Sequence, residues 1–236
     1  MKKTFVIGLL SLMAGWLSAA DSGPKGKLIA AAKQLGDKGN YSWSTTTKEA
    51  DGSAGRIGPI DGKMEASKLM FLSLTPGGIP VEVYIKGEKG TARALEGWQT
   101  LDEIAQTGGT AAAIVRYLKA YKAPAAQSAE LAGKLKTVKE ADGALTGDLN
   151  DEAIKEMLLM GTRQREGQEP PKTSETKGTA KFWVQAGALT KYEINVQGKI
   201  TAGERITDIN RTMTVEIKDV GTTKIEVPEE AKPKLS

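Results

Sequence analysis

Between residues 180 and 227 apolar and polar side chains alternate with a period of two. Phe182 and Val184, then Tyr192, Ile194 and Val196, then Met213, Val215 and Ile217 fall on one side of segments 180–185, 190–197 and 211–218, and segment 223–227 reads as a fourth strand. Successive side chains of a strand point to opposite faces, so this spacing commits the segments to a sheet with one buried and one solvated side, the habit of antiparallel strands. Segment 41–48, rich in Ser, Thr and Trp, adds a strand with Trp43 pointing inward. Strands over 60–66, 68–74, 80–86 and 91–95 follow as a meander, turned at Pro76-Gly77-Gly78 and at Gly87-Glu88-Lys89-Gly90. Gly52-Ser-Ala-Gly55-Arg-Ile-Gly58 also reads as a turn, since neither glycine cluster has the strand-to-helix setting of a phosphate cradle.

Helical spacing interrupts the strands. Leu28, Ile29, Ala32 and Leu35 mark a short amphipathic helix over 25–36. A block from about 100 to 135 opens on a capping box, Thr100-Leu-Asp-Glu103, carries Ile114, Val115 and Leu118 on one face of 111–121, and is broken by Pro124 before a further helix over 125–135. After a strand expected around 137–146, Asn150 can cap a helix with Ile154, Met157 and Leu158 on one side. Residues 162–177, rich in Gln, Glu, Pro and Lys without an apolar period, read as a mobile loop. Strands, a helical block and strands again define the α+β class.

The chain begins Met1-Lys2-Lys3, continues through an apolar run over 5–16 and reaches Ser18-Ala19-Ala20. This order is that of a secretory signal peptide with cleavage between Ala20 and Asp21, and the run is shorter than the roughly 20 residues that span a bilayer. Removing residues 1–20 of 236 leaves 216, read as a single domain over 21–236 that is not membrane-spanning. The expected location is the periplasm or another exported compartment. With no cysteine, an exported chain has neither a disulfide framework nor the residue that bacterial lipid anchors need, so its fold rests on the hydrophobic core.

Composition also excludes chemistry. No histidine occurs, which removes Ser-His-Asp triads, histidine metal sites and imidazole acid-base catalysis, and the missing thiols remove cysteine nucleophiles and zinc-thiolate sites. The net charge of +4 includes Lys2 and Lys3, and Lys and Glu are interspersed, a solvated surface rather than a nucleic-acid footprint. The acid pairs Asp102-Glu103 and Asp151-Glu152 stand where helix N-termini favour negative charge. Ser22-x-x-Lys25 and Ser174-x-x-Lys177 match a short serine-lysine motif without its companions. The expectation is a non-enzyme with no metal and no cofactor.

The run Lys181-Phe-Trp-Val-Gln-Ala-Gly-Ala-Leu-Thr-Lys191, with Thr212-Met-Thr-Val-Glu-Ile-Lys-Asp-Val-Gly221 and Ile225-Glu-Val-Pro-Glu-Glu-Ala231, resembles the end of the LolA and LppX-like periplasmic lipoprotein and lipid carriers. The resemblance implies a strongly curved antiparallel sheet, an incomplete barrel, with helices covering its concave face and enclosing an apolar space for acyl chains. The helical block at about 100–135 would be the lid. No residue here falls on a motif matching the arginine that lipoprotein carriers use. By strand parity Leu72, Leu74, Val83, Phe182, Ile194 and Val215 are the inward, ligand-lining candidates. The reading is a non-catalytic binder or carrier of a lipid or other hydrophobic molecule. The alternative is an envelope protein-interaction or sensor module on the same fold, with an envelope protein as its partner.

Overall fold

The computed structural model describes residues 23–235 apart from 56, 67, 95, 96 and 161–168. The expected export signal and its cleavage point at Ala20 and Asp21 lie outside the described residues. Helix α1 (Pro24–Lys38) carries Pro24 in its first turn and ends on Gly39 in the left-handed conformation, with Leu28, Ala31, Ala32 and Leu35 buried on one side. Strands β1 (Tyr41–Glu49), β2 (Ile60–Met64), β3 (Leu69–Leu74), β4 (Val81–Lys86), β5 (Lys89–Ala94) and β6 (Gly97–Thr100) follow as a meander. Then come α2 (Leu101–Gln106), α3 (Gly109–Ala120), α4 (Pro124–Lys134), the hairpin β7 (Lys139–Ala141) and β8 (Ala144–Asp148), and α5 (Asp151–Leu159). Three long strands, β9 (Lys172–Gln185), β10 (Ala188–Ala202) and β11 (Arg205–Lys218), complete the set.

All strands belong to one open antiparallel sheet of 11, in the order β6-β5-β4-β3-β2-β1-β11-β10-β9-β8-β7. The last long strand returns to pair with the first, Trp43 opposite Ile217 and Thr45 opposite Val215, which joins the two meanders edge to edge. One continuous core runs from Ala92 on β5 to Leu145 on β8 and takes in side chains from the helices. A flat sheet of that width could not surround a single core, so the sheet curls around the helices as an incomplete barrel.

Glycines on the inner face set how closely a helix sits. A β-carbon at Gly178 on β9 would stand 2.7 Å from Ile154 Cγ1, and one at Gly198 on β10 would stand 2.8 Å from Leu158 Cδ1. Without those carbons α5 rests directly on the strands. The outer face of β3 to β6 is covered in turn by the C-terminal segment. Gly221 N–H donates to Asn40 O, Ile225 N–H to Glu65 Oε1, and the Tyr84 hydroxyl to Glu226 O at 3.1 Å, while Ala231 is fully buried.

The structure corrects three expectations. Residues 223–227 form no strand, because their backbone groups bond to side chains and single carbonyls across the sheet rather than to a ladder. The strand expected over 137–146 is a hairpin turned at Asp142 and Gly143, both with positive φ. The loop expected over 162–177 gives way to β9 at Lys172. Lys172 pairs with Thr201 and Lys177 with Gln197, and the polar composition hid this strand because much of it faces solvent. A further strand, β6, is not expected from the sequence and pairs along β5.

Candidate functional site

Helix α3 differs from the other covering helices. Its apolar face holds Val115 and Leu118, both buried, while Ile114 and Tyr117 are only half-buried. Its close backbone neighbour is α2, which the capping box of Thr100 and Glu103 starts and which the Lys119–Asp102 pair at 2.6 Å ties to it. Toward the sheet α3 reaches by side chains. Trp43 Nε1 donates to the Tyr121 hydroxyl at 2.9 Å, the two rings stack with centroids 6.4 Å apart, and Tyr117 meets Tyr121 edge-on at 5.9 Å. By contrast α1 and α4 pack against each other, and α1 and α5 lie directly on the β9–β10 strands.

Under the first turn of α4, next to the end of α3, is a polar centre in an apolar surround. Tyr41 accepts from Ala125 N–H, and the Tyr192 hydroxyl donates to Gln127 Oε1. Burial pushes the Tyr41 phenol up to about 12 and raises Tyr117, Tyr121 and Tyr192 above the ordinary tyrosine range, because a phenolate would lose its hydration there. Hydrogen bonding to Trp43 and the nearby Thr45 hydroxyl partly offset the rise at Tyr121. Thr45 Oγ1 is buried and meets no protein partner at good hydrogen-bonding geometry.

From Thr45 the inner face continues along β1 and β11 to the open end of the barrel. Thr47 lies opposite Met213, and Glu49 opposite Arg211, whose Nε holds Glu49 Oε1 at 2.9 Å. These side chains and Ile209 are half-buried, whereas the inner face under α5 is closed. A strip therefore runs from the aromatic cluster around Trp43 past Met213 to the Arg211–Glu49 pair.

The six expected lining residues all lie on the inner face. Leu72, Leu74, Val83, Phe182, Ile194 and Val215 are 0–3% exposed and join one continuous core with Trp43. Neither of the two recorded depressions, of about 640 and 200 Å³, includes any of the six; both open mainly on the other face. Sequence reasoning missed Thr45, Tyr117 and Tyr121, and placed Met213 on the apolar face of its strand without making it a site residue. Tyr117 and Tyr121 stand four residues apart in the helical block, a spacing that places them on one face. Among the described residues no group of three or more acidic side chains could hold a metal ion, and no helix is long and apolar enough to cross a membrane. The acid pairs Asp102-Glu103 and Asp151-Glu152 occupy the first turns of α2 and α5, as expected of capping charges.

The chain is similar to two solved structures. LprF from Mycobacterium bovis matches with a TM-score of 0.44 and 11% identity, over 88% of this chain and 97% of that one. The lipoprotein LppX from Mycobacterium tuberculosis matches with a TM-score of 0.38 and 14% identity, over 81% of this chain and 93% of that one. LppX is one of the proteins whose superfamily the C-terminal run resembles. No residue role passes from either structure to this chain. No protein-family model matches it, and no curated protein gives a significant match.

Proposed function

We propose that this chain is an exported, non-catalytic binder or carrier of a lipid or similar hydrophobic molecule, working in the periplasm as a single domain from residue 21. The observation that carries the reading is the end of α3, where Tyr121 follows the helix and meets Trp43 of the sheet over the largest aromatic cluster of the inner face. Lifting α3 exposes Val115 and Leu118, about 1.5–3 kcal/mol each, and breaks a hydrogen bond with a net contribution of about 0.5–1.5 kcal/mol. An acyl chain returns about 0.8 kcal/mol per buried methylene, so a chain of about ten carbons offsets the opening. It would enter along the strip past Met213, with Leu72, Val83 and Val215 as the floor beyond Trp43. The polar end would rest near Thr45 and Tyr121.

The test uses the mature full-length protein, purified without detergent from the host's own envelope. Mass spectrometry of organic extracts should find a stoichiometric lipid, and a fluorescent acyl probe should bind the delipidated protein. Tyr121→Phe, which removes the bond from Trp43, should speed probe entry. An empty extract together with no probe binding overturns the carrier reading and leaves the protein-interaction module.

A further inference from the structure

The larger depression, about 640 Å³, opens mainly on the outer face of β1, β11 and β10, away from the aromatic interior. No helix or loop is needed to make it. The β9–β10 pairing shifts register between Leu189 and Lys191 and again between Gln197 and Lys199, and such irregularities deepen the local twist. The result is a trough in which Asn195, Gln197, Thr212 and Thr214 are half-buried.

Its side chains are held in place by one another. Asn195 Nδ2 donates to Thr212 Oγ1 at 2.9 Å and to Asn210 Oδ1 at 3.2 Å, and Asn195 Oδ1 accepts from Gln197 Nε2 at 3.0 Å. This fixes which groups remain for a ligand. The Asn210 amide and the Thr212 hydroxyl hydrogen can donate, Gln197 Oε1 can accept, and the hydroxyls of Thr46 and Thr214 can do both. The charges on the rim are mixed. Lys48 and Glu193 both line it, and Glu49 is already paired with Arg211, so the trough carries no excess positive charge for an anion. No aromatic or large aliphatic side chain lines it, which excludes an acyl chain.

At one end, two residues before Glu193 on the same face, Lys191 covers the Trp183 ring at 4.8 Å. Displacing that flexible ammonium would uncover an indole face beside a row of neutral donors and acceptors. We infer that the outer trough of β1, β10 and β11 binds an uncharged glycan, its hydroxyls matched by Asn210, Thr212 and Gln197 and its C–H face by Trp183. A run of vicinal hydroxyls gives and takes hydrogen bonds at every position, as this alternation of fixed amides and rotating hydroxyls requires.

The experiment is an NMR titration of the full mature chain with cellotetraose, maltotetraose and tetra-N-acetylchitotetraose, with a heparin tetrasaccharide as the charged comparator. At least one neutral sugar should shift the side-chain amides of Asn195, Gln197 and Asn210 and the Trp183 indole. Asn210→Ala should weaken that binding by about tenfold. Asn210 is exposed, so the variant should keep the Trp43 indole resonance and the affinity for an acyl probe. The inference is overturned if no neutral sugar moves those signals, if heparin binds in preference, or if Asn210→Ala binds like the parent. None of these outcomes bears on the acyl probe, which reports the inner face.

Discussion

Replacing Gly62 by alanine should loosen α3 although the two do not touch. Gly62 on β2 lies directly opposite Trp43 on β1, and a β-carbon there would stand 2.1 Å from Cε2 and Cζ2 of the indole and 2.7 Å from Nε1. Ordinary contact begins near 3.4 Å, so the ring must recede by about 1.3 Å. It has nowhere to go, being 2% exposed between Tyr41 and Tyr121. Overpacking of this kind costs about 1–3 kcal/mol. Pulling Nε1 off the Tyr121 hydroxyl leaves a buried donor unpaired, about 1–3 kcal/mol more. Alanine's smaller unfolded-state entropy returns about 0.5–1 kcal/mol, for a net loss of about 1–5 kcal/mol. Urea unfolding followed by circular dichroism should show a lower midpoint at unchanged slope. Amide hydrogen exchange should accelerate across α3 and leave α5 as it was. A variant within about 0.5 kcal/mol of the parent, with its Trp43 indole resonance unmoved, would refute both the packing argument and the role of Trp43 in fastening α3.

Gly133 lies inside α4 with open space where a β-carbon would go, so Gly133→Ala should stabilise the protein by about 0.5–1 kcal/mol, read from the same urea midpoint. The Asn150 side chain accepts from Ala153 N–H at 2.8 Å and starts α5, so Asn150→Ala should cost about 1 kcal/mol and speed exchange in that helix's first turn. The buried phenols set the alkaline limit. Tyr41, with its folded pKa raised to about 12 from 10, keeps a proton that the unfolded chain releases, so its contribution is intact below pH 10 and is lost as pH rises from there toward 12. Stability should fall between pH 10 and 11.5 by up to about 1.4 kcal/mol per pH unit for each such phenol, and Tyr41→Phe should flatten the slope in a midpoint-against-pH series.

What the sequence made legible follows from how local each signal is. Period-two alternation needs only neighbours along the chain, and it located β1 to β5 within a few residues, with the C-terminal parts of β9 and β11 and the first half of β10. The Thr100 and Asn150 caps are equally local and are found in place. Tyr84 shows where such reasoning stops. Parity sends it to the outer face, as expected, yet it is buried there because the C-terminal segment crosses over it and takes its hydroxyl at Glu226. The β9 residues 172–177 fail for the opposite reason, since a strand with polar surroundings on most sides carries no apolar period. At the site, parity put the six apolar candidates inside, but no sequence pattern separates a core wall from a ligand wall. The residues that make the region unusual are Trp43, Thr45 and Tyr121. They meet through a strand-to-helix contact between positions far apart in the chain.

The same inner face treats its two ends differently, and the difference argues for which helix moves. Under α5 the strands present Gly178 and Gly198, where an added carbon would collide with Ile154 and Leu158. A helix seated that closely is held by dispersion along its length, and lifting it would expose Ala153, Ile154 and Leu158, all buried. At the end of α3 the sheet offers the Trp43 indole to Tyr121 instead, so beside Val115 and Leu118 this helix is held by the tips of long side chains. Ring stacks can separate and re-form without repacking a backbone. If α3 is the movable cover, exchange of its amides should be governed by local opening, with a free energy well below that of β10. An α3 whose exchange matched that of β10 in the lipid-free protein would mean that the cover opens only with global unfolding, and a carrier could not load by that route.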